Sequence, residues 1–304
     1  MKKALVFGSF VVDLMARTPH LPKPGETVKG SIFKMGPGGK GFNQGVAAHK
    51  AGADVIMCTK LGKDAFAKVA EEAMRELNMS TENLFYSEDV ETGSALIMVD
   101  EATSQNKIVV VLGACNTITD EEILSLEETI KNCDYILTQL ETNVSAIYKI
   151  IELAKKNQVK VILNTAPVQD IGHDLYKSIY LITPNEVEAE ILTGIEIDSL
   201  ENAKKAASWF RNKGVEDVII TLGQRGVFVS SNGREEIIPA FKVDALDTTG
   251  AGDAFNGGLL AALTEGKDIW EAARFANALA ALSVQKLGTT PSMPTREEID
   301  VFLA

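Results

Sequence analysis

The sequence predicts an α/β protein, with a mostly parallel sheet covered by helices on both faces and a small separate β-sheet. Three observations carry this. From residue 135 onward, short apolar runs alternate with helical patterns of 10 to 14 residues, as in a parallel sheet with crossover helices. Two earlier stretches, 28–35 and 93–112, break that alternation and read as an exposed sheet of their own. Residues 247–258, D-T-T-G-A-G-D-A-F-N-G-G, set a glycine turn at the start of an apolar helix.

In chain order, residues 4–7 form a short apolar strand ending at Gly8-Ser9. Val11-Val12-Asp13-Leu14 follows, then polar, proline-rich sequence to residue 27 and an exposed strand at 28–35. Residues 36–44 are glycine-dense and read as a flexible turn, with a helical pattern from 45 to 50. A strand at 54–59 precedes a helix at 64–77, whose apolar positions are Phe66, Val69, Ala70, Ala73, Met74 and Leu77. Residues 93–99 and 107–112 read as a hairpin around a polar turn at 100–106. Acids at 120–122 mark a helix start. The alternation then runs as strands at 135–138, 159–163, 179–182, 218–221 and 227–230, with helices at 144–155 and 200–212. Helices at 254–263, 270–286 and 297–303 close the chain.

The bulk numbers narrow the function. A chain of 304 residues with 45 % apolar residues can bury a sizeable core. Its net charge of −12 argues against nucleic acid or an anionic membrane as partner. An anionic small ligand remains compatible, because backbone donors can hold phosphate locally. Cys58, Cys115 and Cys133 are widely spaced, without a C-x-x-C pair, which fits a reducing cytosol. The apolar run at the N-terminus is short and reads as a buried strand, and no run reaches membrane-span length.

The chemistry concentrates after the strands. The N–H groups of Gly250, Ala251 and Gly252 stand at a helix N-terminus, where unpaired donors and the helix dipole favour an anion. Asp253 in that first turn is a candidate base for a hydroxyl attacking a phosphate. The plainer alternative is a helix cap. Residues 36–41 match G-x-G-x-x-G, but no acid follows at dinucleotide spacing, and Gly41 after Lys40 rules out a phosphate-binding G-K-[ST] loop. Asn185 and Glu188, in T-P-N-E-V-E-A-E, read either as a helix start with acids favoured by the dipole or as groups reaching a phosphate-bound Mg²⁺ through its waters. Thr221, Gly223 and Gly226 lie in a tight strand-to-strand turn, a shelf for a nucleotide or simply a turn. His20, His49 and His173 are isolated and receive no chemistry.

Gly38-Gly39-Lys40-Gly41-x-Asn43-Gln44, Asn185-x-x-Glu188 and Asp247-Thr248-x-Gly250-Ala251-Gly252-Asp253 occur in the order and spacing that resemble the ribokinase-like (PfkB-type) sugar kinase family. The resemblance runs from Gly8-Ser9 to Thr290-Pro291-Ser292-Met293-Pro294. It implies one doubly wound kinase domain over 1–304, with lid strands at about 10–37 and 90–113. It also implies ATP as phosphoryl donor with Mg²⁺, and a sugar's primary hydroxyl as acceptor. By the same resemblance Asp253 is the general base and Gly250, Ala251 and Gly252 the anion hole. Val11, Asp13, Gly39, Lys40, Asn43 and Glu141 fall at sugar contacts, and Asn185, Glu188, Thr221, Gly223, Gly226, Gly252 and Asn277 at the ATP side. A monovalent cation, K⁺, is implied beside Asp247, Thr249, Ser283, Lys286, Gly288 and Ser292, mostly through backbone oxygens.

The chain departs from the family pattern at two places: Val11 replaces the Asn of the Gly-Ser-x-Asn-x-Asp segment, and Phe42 replaces the usual Ala. Valine can neither donate nor accept a hydrogen bond to a sugar hydroxyl. The expected reaction remains D-ribose to ribose 5-phosphate, and this departure opens 2-deoxyribose, another sugar or a nucleoside as alternative substrates. A non-catalytic sugar-binding regulator on the same fold is the rival from another class. A small sheet with an apolar face predicts a homodimer paired through the lids, in the cytoplasm.

Overall fold

The computed structural model describes residues 2–103 and 105–304; Met1, and Ser104 in the expected turn at 100–106, lie outside the described residues. The chain begins with strands β1 (Lys3–Phe7), β2 (Val11–Thr18) and β3 (Ile32–Gly38), helix α1 (Lys40–Lys50), strand β4 (Asp54–Gly62), helix α2 (Ala67–Glu76) and strand β5 (Leu84–Ser87). Then come β6 (Thr92–Asp100), β7 (Asn106–Gly113), α3 (Asp120–Ser125), α4 (Glu127–Lys131), β8 (Tyr135–Thr138), α5 (Val144–Lys156), β9 (Lys160–Leu163) and β10 (Leu181–Ile182). The C-terminal third holds α6 (Glu186–Thr193), α7 (Leu200–Asn212), β11 (Asp217–Thr221), β12 (Val227–Ser231), β13 (Arg234–Ile238), α8 (Ala251–Thr264), α9 (Ile269–Ser283) and α10 (Arg296–Leu303).

Nine strands make the large sheet, in the order β13-β12-β11-β10-β9-β8-β1-β4-β5. Pairing is parallel from β5 to β11, and β12 and β13 add an antiparallel edge. Side-chain alternation splits the core in two. Ala4 and Val6 face a layer with Val46, Leu259 and Ala272, from α1, α8 and α9. Leu5 and Phe7 face a second layer with Ile147, Ile151 and Phe210, from α5 and α7. The sheet is thus doubly wound, as expected. β2, β3, β6 and β7 form the small separate sheet, in the order β3-β2-β6-β7.

The chain adds β4 and β5 on one side of β1, then returns to place β8 on the other. Such a reversal opens a crevice beyond the carboxyl ends of the two strands. Gly8-Ser9 after β1 and Gln139 to Glu141 after β8 stand at that point.

Two expectations change. Residues 36–44 are not a flexible turn, because α1 already begins at Lys40. Gly39 makes the corner at φ 92°, and a Cβ there would lie 2.9 Å from the backbone of Phe10 and Val11. Gly41 then lets the helix lie against the end of β1, with its Cβ position 2.5 Å from the Gly8 carbonyl carbon. The exposed strand expected at 28–35 is shifted to Ile32–Gly38, paired antiparallel with β2.

Candidate active site

Helix α1 brings Lys40, Asn43 and Gln44, spaced i, i+3, i+4, onto one face at the crevice. Helix α8 starts opposite, with Gly250 as N-cap at φ 77° and Asp253 in its first turn. Gly257 lets the two helices touch: its Cβ position lies 2.4 Å from Ala47 Cβ. Asp253 is buried, and both carboxylate oxygens accept amide hydrogens. Asn43 Nδ2 donates to Oδ2 at 3.1 Å and Gln44 Nε2 to Oδ1 at 3.0 Å. Burial raises the pKa of Asp253, against the pull of Lys40 and of these two amides. A carboxylate whose pKa is raised is a stronger base and so better suited to taking a proton from a hydroxyl.

Glu141, from the loop after β8, accepts the backbone N–H of Lys40 at 2.9 Å and the hydroxyl of Ser9. Burial pulls the pKa of Lys40 down, but the carboxylates of Asp253, Glu141 and Glu188 outweigh it and the net direction is up, so the ammonium stays charged. Asp13 reaches the same place from β2. Its pKa is pushed up to about 6 by burial and by the carboxylates of Glu141 and Asp253. Gly38 leaves it room: a Cβ there would lie 2.3 Å from Asp13 Oδ1. Val11, two residues before Asp13 on β2, shares its face of the small sheet and is buried. The expected sugar residues Val11, Asp13, Gly39, Lys40, Asn43 and Glu141 therefore converge beside Asp253.

The first turn of α8 holds the N–H groups expected to bind an anion, those of Gly250, Ala251 and Gly252. Within it, the Ala251 N–H is bonded to the Thr248 carbonyl at 3.2 Å. Beyond that turn, Asn185 caps α6 in a reciprocal box: its side chain accepts from Glu188 N at 2.8 Å, and Glu188 Oε2 accepts from Asn185 N at 3.0 Å. Thr221 joins Asn185 by a parallel bridge. Gly223 opens the turn between β11 and β12 with free space at its Cβ position. Gly226 closes that turn at φ 96°, with its Cβ position 2.1 Å from the Ile238 carbonyl oxygen. Asn277 on α9 donates to the carbonyls of Ile238 and Pro239, each at 3.3 Å. Its amide is thus spent holding the chain that Gly226 packs against.

Two loops run side by side next to Gly250. Leu246 and Asp247 N–H groups bond the Val284 carbonyl at 2.8 and 3.1 Å. The Asp247 carboxylate accepts from Thr249 N at 2.9 Å and Gly288 N at 3.0 Å. Burial would raise its pKa, but the hydrogen bonds from Gly288 and Thr249 prevail and hold it low. Ser283 lies at the end of α9, and Ser292 donates to the Thr289 carbonyl at 2.7 Å. The Lys286 ammonium turns away, to Glu298 at 2.7 Å. The positions expected beside a monovalent cation thus lie on these two loops and the end of α9, with the Asp247 carboxylate joining the loops.

Several site residues were given no role from sequence: Gln44, Ser9, Gln139, Asn164 and Thr290, of which Asn164 was placed only at the cleft by its position past a strand end. Thr290 Oγ1 donates to Asn43 Oδ1 at 2.8 Å and so fixes that amide. Gln44 had a usable signal, because a helix begun at Lys40 puts it beside Asn43 on the face with Lys40. Ser9, Gln139 and Asn164 share only their place just past strand ends.

The chain matches the model of the pfkB family of carbohydrate kinases over residues 1–296. It is 44 % identical over 304 residues to a ribokinase of Haemophilus influenzae, covering 100 % of this chain and 99 % of that one. It is 38 % identical over 303 residues to a deoxyribokinase of Salmonella typhi, covering 98 % of each. Among solved structures, Arabidopsis thaliana ribokinase complexed with ribose and ATP superposes with a TM-score of 0.91 at 30 % identity, covering 99 % of this chain and 98 % of that one.

Proposed function

The chain belongs to the pfkB family of carbohydrate kinases, and on that footing we propose that it transfers the γ-phosphoryl group of ATP to the primary hydroxyl of D-ribose. The observation that carries this reading is the buried Asp253 carboxylate at the glycine-started turn of α8, held by Asn43 and Gln44 beside Lys40 and Glu141.

In the reaction, Asp13, Lys40, Asn43, Glu141 and the backbone at Gly39 hold the sugar with its primary hydroxyl at Asp253. The carboxylate takes the hydroxyl proton as the oxygen attacks the γ-phosphorus, the bond from that phosphorus to the β-bridging oxygen breaks, and ADP leaves with the electron pair. The first N–H groups of α8, from Gly250 to Gly252, meet the equatorial oxygens, where positioning and charge neutralisation do most of the catalysis. Of these, the Ala251 N–H is held by the Thr248 carbonyl and would meet the phosphoryl group only on leaving it. Asn185, Thr221, Gly223, Gly226 and Asn277 shape the nucleotide side, and Gly252 borders it.

Asn185 and Glu188 hold each other so fully that they fit Mg²⁺ through its retained waters rather than by direct ligation. Held there with ATP, Mg²⁺ would supply charge neutralisation to the phosphates. K⁺ fits the loops of Asp247, Thr249, Ser283, Lys286, Gly288 and Ser292, where it would hold the turn before α8 in shape.

The whole chain acts as one kinase unit, with residues 10–37 and 90–113 as its lid. Ile32, Phe33, Met35, Leu96 and all four residues from Ile108 to Val111 expose apolar surface on that sheet. Pairing with the lid of a second copy would cover it, which supports a homodimer. No helix among the described residues is long and apolar enough to cross a membrane. Three free, buried thiols support a place in the reducing cytoplasm, and the net charge of −12 supports partners other than nucleic acid or membrane.

Val11 favours a second reading, 2-deoxyribose as substrate, because an apolar side chain on the Asp13 face of β2 offers no partner to a sugar hydroxyl. A panel of sugars at fixed MgATP, followed by ADP release, tests both. The highest kcat/KM on ribose supports the first, and comparable values on 2-deoxyribose assign the loss of discrimination to Val11. Sugar binding without ADP release would make the chain a sugar-binding regulator instead.

A further inference from the structure

The side chains behind Asp253 form a directed series. Thr183 lies just past β10, and its backbone carbonyl can only accept. Asn164 Nδ2 donates to it at 2.9 Å. That fixes the Asn164 amide with its oxygen toward α1, so the group facing it on Gln44 must donate, and Gln44 Nε2 does so at 3.1 Å. The second hydrogen of the same NH₂ goes to Asp253 Oδ1 at 3.0 Å. Gln44 Oε1 is left as an acceptor and takes Gln139 Nε2 at 2.7 Å. A reversed Gln44 would set its carbonyl oxygen against two acceptors at once. Gln44 and Gln139 are fully buried, and Asn43 and Asn164 nearly so, so water cannot relieve such a mismatch.

We propose that Gln44 is a positioning residue for the catalytic carboxylate, the last link of a buried amide relay whose polarity is set by the Thr183 carbonyl. The inference rests on the kinase reading of Asp253. With Gln44 oriented by the relay and Asn43 by Thr290, both oxygens of Asp253 face amide donors that do not ionise, so the environment matches the ionised carboxylate. The relay offsets the burial that pushes the carboxylate the other way. Thr183 also ties the base to the anion-binding turn. Its hydroxyl donates to Asn256 Oδ1 at 2.6 Å, and Asn256 Nδ2 donates to the Gly252 carbonyl at 2.8 Å. One residue thus orients the carboxylate and the peptide that precedes it.

The test is the pH dependence of kcat between pH 5 and 9 for Gln44→Met and Gln44→Glu, with ribose and MgATP saturating. Gln44→Met keeps the length and loses the donor. The expected result is a kcat lower by about 10- to 100-fold, KM values for both substrates within about threefold, and an acidic limb moved to higher pH. The direction follows because a carboxylate deprived of a donor holds its proton more tightly. Lys40, Glu141 and Asp13, the other charged groups facing it, are the same in wild type and variant, so a difference in the limb reports the lost donor. Gln44→Glu, nearly isosteric, places a second carboxyl against Asp253 and moves the limb further the same way. A folded variant of either kind with the wild-type acidic limb, or with a loss confined to KM, overturns the proposal. Wild-type protein inactive on every sugar overturns the kinase reading instead, so the two failures are told apart.

Discussion

Asn43 Nδ2 donates to Asp253 Oδ2 at 3.1 Å across 210 positions of sequence, joining the first turn of α1 to the first turn of α8. The two helices that flank the crevice are therefore in register at the carboxylate. Asp253→Asn is expected to lower kcat by a factor of about 10² to 10⁴ while ATP affinity by calorimetry stays within a few fold. A variant that keeps most of the wild-type kcat removes Asp253 from the role of base.

Asp13 carries the clearest stability cost of the site. Its folded pKa of about 6 lies above its ordinary 3.8, through burial first and then Glu141 and Asp253. A raised carboxyl contributes stability below pH 4 and loses it as pH rises through 6. Asp13→Asn is thus expected to melt higher than wild type at pH 8, by roughly 2 to 5 °C, and at nearly the same temperature at pH 4. Its KM for the sugar is expected to rise about tenfold or more as a charged hydrogen-bond acceptor is lost. Equal melting at both pH values would mean that the ionised Asp13 is not disfavoured in the folded chain.

The alternating half of the molecule was legible because its signals are strong. Helix α7 stands at the expected 200–212 and strand β8 at 135–138, where apolar period and β-branched runs agree. The edge strands of the large sheet were not legible. β13 reads R-E-E-I-I, without an apolar alternation, and its signal lay instead in the Asn232-Gly233 turn that hairpins it to β12, while β5 is only four residues long. Helix α1 was legible only from residue 45, because glycines that lower helix propensity are required where it touches β1. Motif spacing gave the site's acids and Lys40. Gln44, Gln139 and Asn164 acquire meaning only when three strand ends and a helix meet.

Gly257 sets the distance on which that meeting depends. A Cβ there would lie 2.4 Å from Ala47 Cβ and 2.6 Å from the Gln44 carbonyl oxygen. Gly257→Ala is expected to push α1 from α8, at a cost of about 1–3 kcal/mol, and to lower kcat by stretching the contacts of Asn43 and Gln44 to Asp253. Gly36→Ala, with nothing within 4 Å of its Cβ position, is the thermal control and should melt close to wild type. Equal melting of the two variants would mean that the helices have slack at this contact.

The small sheet gives a prediction about assembly. Phe33 and Ile108 lie on its opposite faces, since Phe33 pairs with Ala16, whereas Ile108 pairs with Ile97 and Ile97 with Met15. Both are exposed. Sedimentation equilibrium at micromolar concentration is expected to give twice the chain mass. One of Phe33→Glu and Ile108→Glu should reduce it to the single-chain mass, and which one does so identifies the covered face. A single-chain mass for the wild type sinks the dimer.

Glu188 separates a helix cap from a metal-assisting residue. Its Oε1 accepts from Asn185 Nδ2 at 2.8 Å, and its Oε2 from Asn185 N at 3.0 Å and Thr165 Oγ1 at 2.9 Å. Four lone-pair positions and three donors leave one acceptor site for a metal-bound water. Thr165→Val removes one donor and no charge, whereas Glu188→Gln removes the charge and turns an acceptor into a donor facing Asn185. Both should lower stability by about 1 kcal/mol. Only Glu188→Gln should raise the Mg²⁺ concentration for half-maximal rate, by about tenfold, because a water in the magnesium shell is held far better by a carboxylate than by an amide. Measured at saturating sugar and ATP, a Glu188→Gln variant with the wild-type Mg²⁺ midpoint would leave the residue with its capping role alone.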